Sequence, residues 1–332
     1  MTAVRRADGV IRVGSLPSRP ERTALVEARG ALLAWDVLGD PVPAVEIHDA
    51  EQAAEWLWEV YGPTAAAAIL GDVTEVELAL LGGSVEALAW LRWAQAWWPA
   101  STIGGIPALD PALLAAEIAV HTAAVEHLLD DDEAVTRALA NVTAPAGNVS
   151  AEVLALYEQV ETIAEDFGVT VSPAAAKRRV EWALAAGEAP SRDGLRLRSG
   201  ATAVDWSLVP AGVLDAVAPV WWEVRRTAGA TVLSVSVEAA PAAKPVDLLA
   251  RCGPDLEVPL YPDGGAFVGA SDVDATWLSE DIAPVVFAPR FADADRIGAP
   301  VDIATQTAVI ALARTRLTSP AASLTEREAG RR

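Results

Sequence analysis

One change of hydrophobic period in this chain of 332 residues constrains the fold more than any motif does. From Asp49 to about residue 188, apolar residues recur at helical spacing; after "GEAPSRDG" at 187–194 they alternate. In the segment that starts at Ser150, Val153, Leu156, Tyr157, Val160, Ile163, Ala164 and Phe167 fall on one side of a helix. In "TVLSVSVEA", Leu233, Val235 and Val237 alternate with Ser234, Ser236 and Glu238, the period of a half-buried strand. The two periods bury their apolar side chains differently, so the expectation is two kinds of packing joined near 187–194.

Local signals divide the chain further. Residues 1–48 read as an extended N-terminal segment, with "TALVEA" and "ALLAWDVL" split by a candidate hairpin turn at Arg29-Gly30; a helix over 23–38 is the competing reading. Asp49 with Gln52 and Thr74 with Glu77 fit the capping-box spacing, and Gly62 and Gly82 sit where helices stop. Asp110-Pro111 and Ser172-Pro173 place proline just inside an N-cap. Residues 49–188 therefore read as an α-helical bundle of about six helices. Short runs follow at 221–226, 246–252, 256–261, 266–270 and 283–290, with "TAGAT" and "PDGG" as turns, and 195–300 reads as an antiparallel β-sandwich-like domain. A C-terminal helix at 301–317 and a flexible tail at 318–332 complete an α+β expectation.

The composition excludes some functions. A formal net charge of −21 opposes general binding to nucleic acid or an anionic membrane, and "AAAKRR" at 174–179 is the one compact basic run. No apolar stretch reaches the length of a membrane span. The basic residues are nearly all arginine, with Lys177 and Lys244 the only lysines, and alanine is abundant, as in a GC-rich bacterial genome. The sole cysteine, Cys252, permits no intrachain disulfide. The opening carries no apolar run after its arginines, so a cytoplasmic location is expected.

"WLRWAQAWWPAS" at 90–101 holds four tryptophans in a dozen residues. On a helix, Trp90, Trp93 and Trp97 share a narrow arc, and Arg92 is the one interleaved cation. A base-stacking platform needs more cations than that, so the expectation is a packed core. Trp98, before Pro99, is the member expected to be least buried. Neighbouring indoles in Trp56/Trp58 and Trp221/Trp222 cannot all face one way, so Trp98, Trp221 and Trp222 are the binding candidates.

The sharpest polar anomaly lies on the predicted helix from Pro111, where Glu117 and His121 sit four residues apart inside an apolar face. A carboxylate orienting an imidazole is half of a general-base arrangement, which makes both residues catalytic candidates. The Glu-x-x-x-His spacing departs from the Glu-x-x-His of carboxylate-bridged metal sites, and no second copy occurs. The plainer expectation is a buried pair satisfying itself. No nucleophile elbow, phosphate loop or calcium loop is present, and neither a metal nor a cofactor is expected. The reading that follows is a non-catalytic adaptor or accessory subunit for a protein or peptide partner. The alternatives are an enzyme using Glu117 and His121, metal-assisted or not, and a structural component of a larger bacterial assembly.

Overall fold

The computed structural model describes residues 2–79, 83–145, 149–172, 194–227, 229–241, 243–253, 255–274, 277 and 282–331. The chain begins with strands β1 (Thr2–Ala7), β2 (Val10–Val13), β3 (Thr23–Ala28), β4 (Ala31–Asp36) and β5 (Ala44–Ile47). Helices α1 (Ala50–Ala54), α2 (Leu57–Tyr61) and α3 (Pro63–Leu70), strand β6 (Glu75–Val76) and helices α4 (Ser84–Trp97), α5 (Pro111–Ala124), α6 (Ala134–Ala140) and α7 (Ala151–Asp166) follow. Strands β7 (Leu195–Thr202), β8 (Val220–Thr227), β9 (Ala230–Glu238), β10 (Leu248–Cys252), β11 (Leu256–Asp263), β12 (Ala266–Asp272) and β13 (Val285–Phe287) precede helices α8 (Ile303–Arg316) and α9 (Leu324–Gly330).

Two compact units interleave along the sequence: residues 1–96, 109–176 and 314–332 form the first, and 97–108 with 177–313 form the second. Most of the proposed linker lies outside the described residues, as do Gly82, Pro173 and the basic run at 177–179.

The first unit contains a six-stranded antiparallel sheet in the order β3-β4-β5-β2-β1-β6, not an N-terminal helical bundle. Its hairpins are local. Asp8 and Gly9 both have positive φ between β1 and β2, which suits the right-handed strand twist. Arg29-Gly30 joins β3 to β4 as expected. Gly30 is required there, because a Cβ would lie 2.5 Å from the Asp49 carbonyl oxygen. The helices are scattered rather than bundled. Three of them start where sequence signals put them: Asp49 accepts from Glu51 and Gln52 N–H, Asp110 from Ala112 and Leu113, and Ser150 from Val153. Thr74 caps no helix. Its neighbours form β6 and pair with Thr2 and Ala3, because a strand partner in the fold outweighs a local capping preference. α3 packs on β2 and β6, whereas α5, α6, α7 and α9 share a core of Leu113, Ala116, Val135, Tyr157, Val160 and Leu324.

The second unit holds one continuous seven-stranded antiparallel sheet, β13-β10-β11-β12-β9-β8-β7, in place of the expected sandwich. Alternation correctly marks Leu233, Val235 and Val237 as one buried face. What covers that face is not a second sheet but the connections carrying Leu208, Val213, Ile282 and Ala288. A strand's period reports that one side is buried and is silent about the covering layer.

The segment expected to be a flexible tail forms α9, with Leu324, Thr325, Glu326 and Ala329 buried. It is short, yet every backbone donor of its first turn has a side-chain partner. The Ser323 N–H donates to Glu326 at 2.7 Å and the Glu326 N–H to the Ser323 hydroxyl at 3.2 Å, a capping box. The Leu324 and Thr325 N–H groups between them donate to Glu117.

Candidate functional site

Glu117 and His121 lie on α5, one turn apart, but they do not satisfy each other. The two Glu117 oxygens accept separately from the Leu324 and Thr325 N–H groups, at 2.7 and 2.8 Å, and the residue is 6% exposed. An anionic carboxylate at a helix N-terminus is favoured both by the orphan donors and by the helix dipole. This carboxylate is therefore occupied by backbone, which corrects the expected self-satisfied pair. His121 Nδ1 is buried and finds no hydrogen-bond partner among the described residues. Burial lowers the imidazole's pKa below 6.5, and the nearby Glu117 charge opposes that shift. The other two histidines lie apart, His127 against Glu59 at 2.8 Å and His48 beside Glu46 at 3.5 Å. Among the described residues no cluster of potential metal ligands occurs.

Beside Glu117, Glu326 is fully buried and all its acceptor capacity is used. It takes a bidentate pair from Arg316 at 2.9 and 2.6 Å, the Trp90 indole N–H at 3.2 Å and the Ser323 N–H. The Arg316 guanidinium also lies over the Trp90 ring, 4.5 Å from its centroid. The tryptophan run is accordingly interior, as expected: Trp93 is 2% exposed and donates to the Glu21 carbonyl, while Trp97 is half-buried. Trp98 is a correction. It is 5% exposed and donates to the Pro107 carbonyl at 2.9 Å, so the proline after it turns the chain without exposing the ring.

Trp221 and Trp222 separate as adjacent strand residues must. Trp222 turns to the core side, where its ring passes over Gly200; a Cβ there would come within 2.7 Å of the indole. Arg198 stacks on the same ring, 5.6 Å from its centroid. Trp221 points the other way and is 55% exposed.

Trp221 belongs to an ordered outer face. Cross-strand register aligns Ala201, Trp221, Ser236, Val268 and Tyr261 in one row, with Tyr261 also 55% exposed. The adjoining row is Ser199, Glu223, Ser234 and Ala270, and the next is Arg196, Arg225, Val232 and the exposed Asp272. On the other side of the aromatic row lie Glu238, Ala266 and Asp263. The small side chains of the middle strands leave a depression of about 670 Å³ whose lining includes Arg196, Trp221, Glu223, Arg225, Ser236 and Asp263. Arg225 is held by Glu223 at 2.7 Å, and that hydrogen bond raises the guanidinium's pKa. Arg196, Glu238 and Asp263 are exposed.

A second depression, of about 380 Å³, is lined by Thr102, Ile103, Glu238 and Gly265, among others, with Asp215 at its floor. Asp215 is 1% exposed and gathers the Ser101 hydroxyl at 2.6 Å and the Thr102, Val217 and Ala218 N–H groups at 2.7, 3.0 and 3.1 Å. Like Glu117, it serves the backbone. It leaves Ile103 62% exposed at the rim.

Sequence reasoning singled out Trp221 but missed Arg196, Glu223, Arg225, Tyr261 and Asp263. The available signal was the polar half of the same alternation: once Val220, Val224, Val235 and Val237 face the core, Trp221, Glu223, Ser234 and Ser236 must face out.

The chain matches no family model, no curated protein and no solved structure. Among the described residues, no helix is long and apolar enough to cross a membrane.

Proposed function

We propose that the protein is a non-catalytic accessory subunit that holds an extended peptide segment of a protein partner across the outer face of its seven-stranded sheet. The observation that carries this reading is the row in which Trp221 and Tyr261, each 55% exposed, flank a floor of Ser236 and Val268. Exposed aromatics beside a shallow, half-polar depression suit a peptide, whose backbone needs hydrogen-bond partners and whose side chains need apolar contact. The face is a better platform than the edge. Edge strand β7 carries Arg196 and Arg198 with a bulge between them, and β13 at the other edge has three residues; both features discourage strand addition.

The enzyme alternative loses support because both oxygens of Glu117 are committed to α9. In the general-base arrangement Glu117 must accept from the His121 ring to orient it, and His121 Nδ1 has no hydrogen-bond partner among the described residues. The reading places the protein in the bacterial cytoplasm, where a cysteine such as Cys252, buried with its thiol pushed up to about 12, stays reduced and inert. The test is selection of a displayed peptide library against the full-length protein. Peptides should be recovered that bind the wild-type chain and lose binding to Trp221→Ala/Tyr261→Ala. Recovery of no peptide that distinguishes the two proteins would overturn the reading.

A further inference from the structure

Resting on that reading, we infer that the peptide is basic: two residues from the apolar side chain that meets the aromatic row it carries a lysine or arginine, which sits between Glu238 and Asp263. Trp221 on β8 and Tyr261 on β11 stand on either side of β9 and β12, whose outward side chains include Ser234, Ser236, Ala266 and Ala270. Two large side chains in one row, with small ones between them, wall a trough that runs along β9 and β12. The floor strands display two ionisable side chains on this face, Glu238 at one end and Asp272 at the other, and both are exposed carboxylates.

The two ends differ in net charge. At one, Arg196 and Arg225 are balanced by Glu223, which holds Arg225 at 2.7 Å, and by Asp272 in their own row. At the other, Glu238 and the exposed Asp263 face each other across Ala266, with no ion pair of either among the described residues and no cation aligned with them in the strand register. The connection from β9 to β10 brings Lys244 and Asp247, whose charges cancel. Glu238 and Asp263 are two strands apart, roughly 10 Å at about 4.8 Å per strand. An ammonium or guanidinium between them, over the Ala266 methyl, makes charge-assisted hydrogen bonds to the carboxylates. Each acid lies two residues along its strand from the aromatic row, Glu238 from Ser236 and Asp263 from Tyr261. An extended ligand in the trough has the same repeat, and residues two apart point to the same side. An apolar side chain held between Trp221 and Tyr261 therefore puts its second neighbour over Ala266.

The arrangement also specifies against wrong ligands. An acidic segment is repelled at Glu238 and Asp263 and by a chain whose formal net charge is −21, whereas a basic one is drawn by both.

The experiment is sequencing of the peptides selected on the full-length protein from a random displayed library, followed by binding of one enriched peptide to charge variants. The pool should be enriched in lysine and arginine, with a basic residue two positions from an aliphatic or aromatic one. Glu238→Lys/Asp263→Lys should weaken the enriched peptide by about tenfold or more, since it sets like charges face to face. Glu158→Lys/Glu161→Lys, which makes the same change in net charge at exposed positions on α7, should weaken it by less than about twofold, because exposed charges beyond a Debye length are screened. Circular dichroism identifies any variant that fails to fold; if the reversal at Glu238 and Asp263 does, Glu238→Gln/Asp263→Asn keeps the side-chain size and should still weaken binding about threefold or more. A pool that depends on Trp221 but shows no basic enrichment, folded Glu238/Asp263 variants that bind unchanged, or an equal loss in the α7 variant would overturn this inference and leave peptide binding intact. A pool that does not depend on Trp221 and Tyr261 removes the binding reading itself.

Discussion

The junction of α5 with α9 and the outer face of the seven-stranded sheet treat charge in opposite ways. At the junction, Glu117 and Glu326 are buried and each acceptor oxygen is matched to a donor from the same chain. On the sheet face, Arg196, Glu238 and Asp263 stand exposed in register. A buried charge survives only when it is fully satisfied, so the first arrangement is what stability demands. The second brings no comparable stability, because surface charges contribute little. The comparison teaches where to look for binding: in polar groups that the fold leaves uncommitted, rather than in those that the fold hides.

The contrast is tested hardest at Glu117. Glu117→Ala leaves two buried backbone N–H groups without acceptors, at about 1–3 kcal/mol each, so a loss of roughly 3 kcal/mol in denaturant unfolding is expected. Amide exchange of residues 324–330 should accelerate before that of the α5 core. Glu117→Leu/His121→Leu should not recover the loss, because the orphaned donors belong to the α9 backbone and not to His121. A double variant as stable as the wild type would return the pair to a self-satisfied core element.

A smaller effect follows from His121. Its pKa is lowered on folding, so the unfolded chain binds the proton more readily. Stability from this group is complete above about pH 6.5, its unfolded value, and falls as the pH drops from there through the folded pKa. His121→Phe should flatten the dependence of unfolding free energy on pH in that window. An unchanged slope in the variant would assign the acid sensitivity to other groups.

The smallest stability change is expected on the sheet face. Trp221→Ala and Tyr261→Ala should each alter unfolding free energy by less than about 0.5 kcal/mol, as substitutions at exposed positions do. If either costs as much as Glu117→Ala, the aromatic row is packing against something and the distinction between the two regions collapses.

Some of this was legible in the residues and some was not. Asp49, Asp110 and Ser150 start helices because their short polar side chains reach N–H groups two or three positions on, a strictly local event. Alternation found β8 to β13 for the same reason. The six-stranded sheet was harder. Its strands have two to six residues, and β6 depends on Thr2 and Ala3, more than seventy positions away. The Asp8-Gly9 turn was a local clue that went unused. So was "SLTE" at 323–326: its capping-box spacing was present, but a short charged segment reads as a tail until Glu117 is brought to it. On the sheet face, alternation identifies the outward residues, whereas the alignment of Arg196, Trp221 and Glu238 needs the register of four strands. Register is a property of pairing, not of any one segment.

The interleaving of the two units bears on how the chain is made. Domains fold as they leave the ribosome when their residues are contiguous. Here the second unit has emerged in full by residue 313, while the unit that begins the chain still lacks 314–332. Glu117 waits for the translation of 207 further residues before its first backbone donor exists. Until then its carboxylate keeps its water, and the earliest-synthesised part of the protein is the last to close.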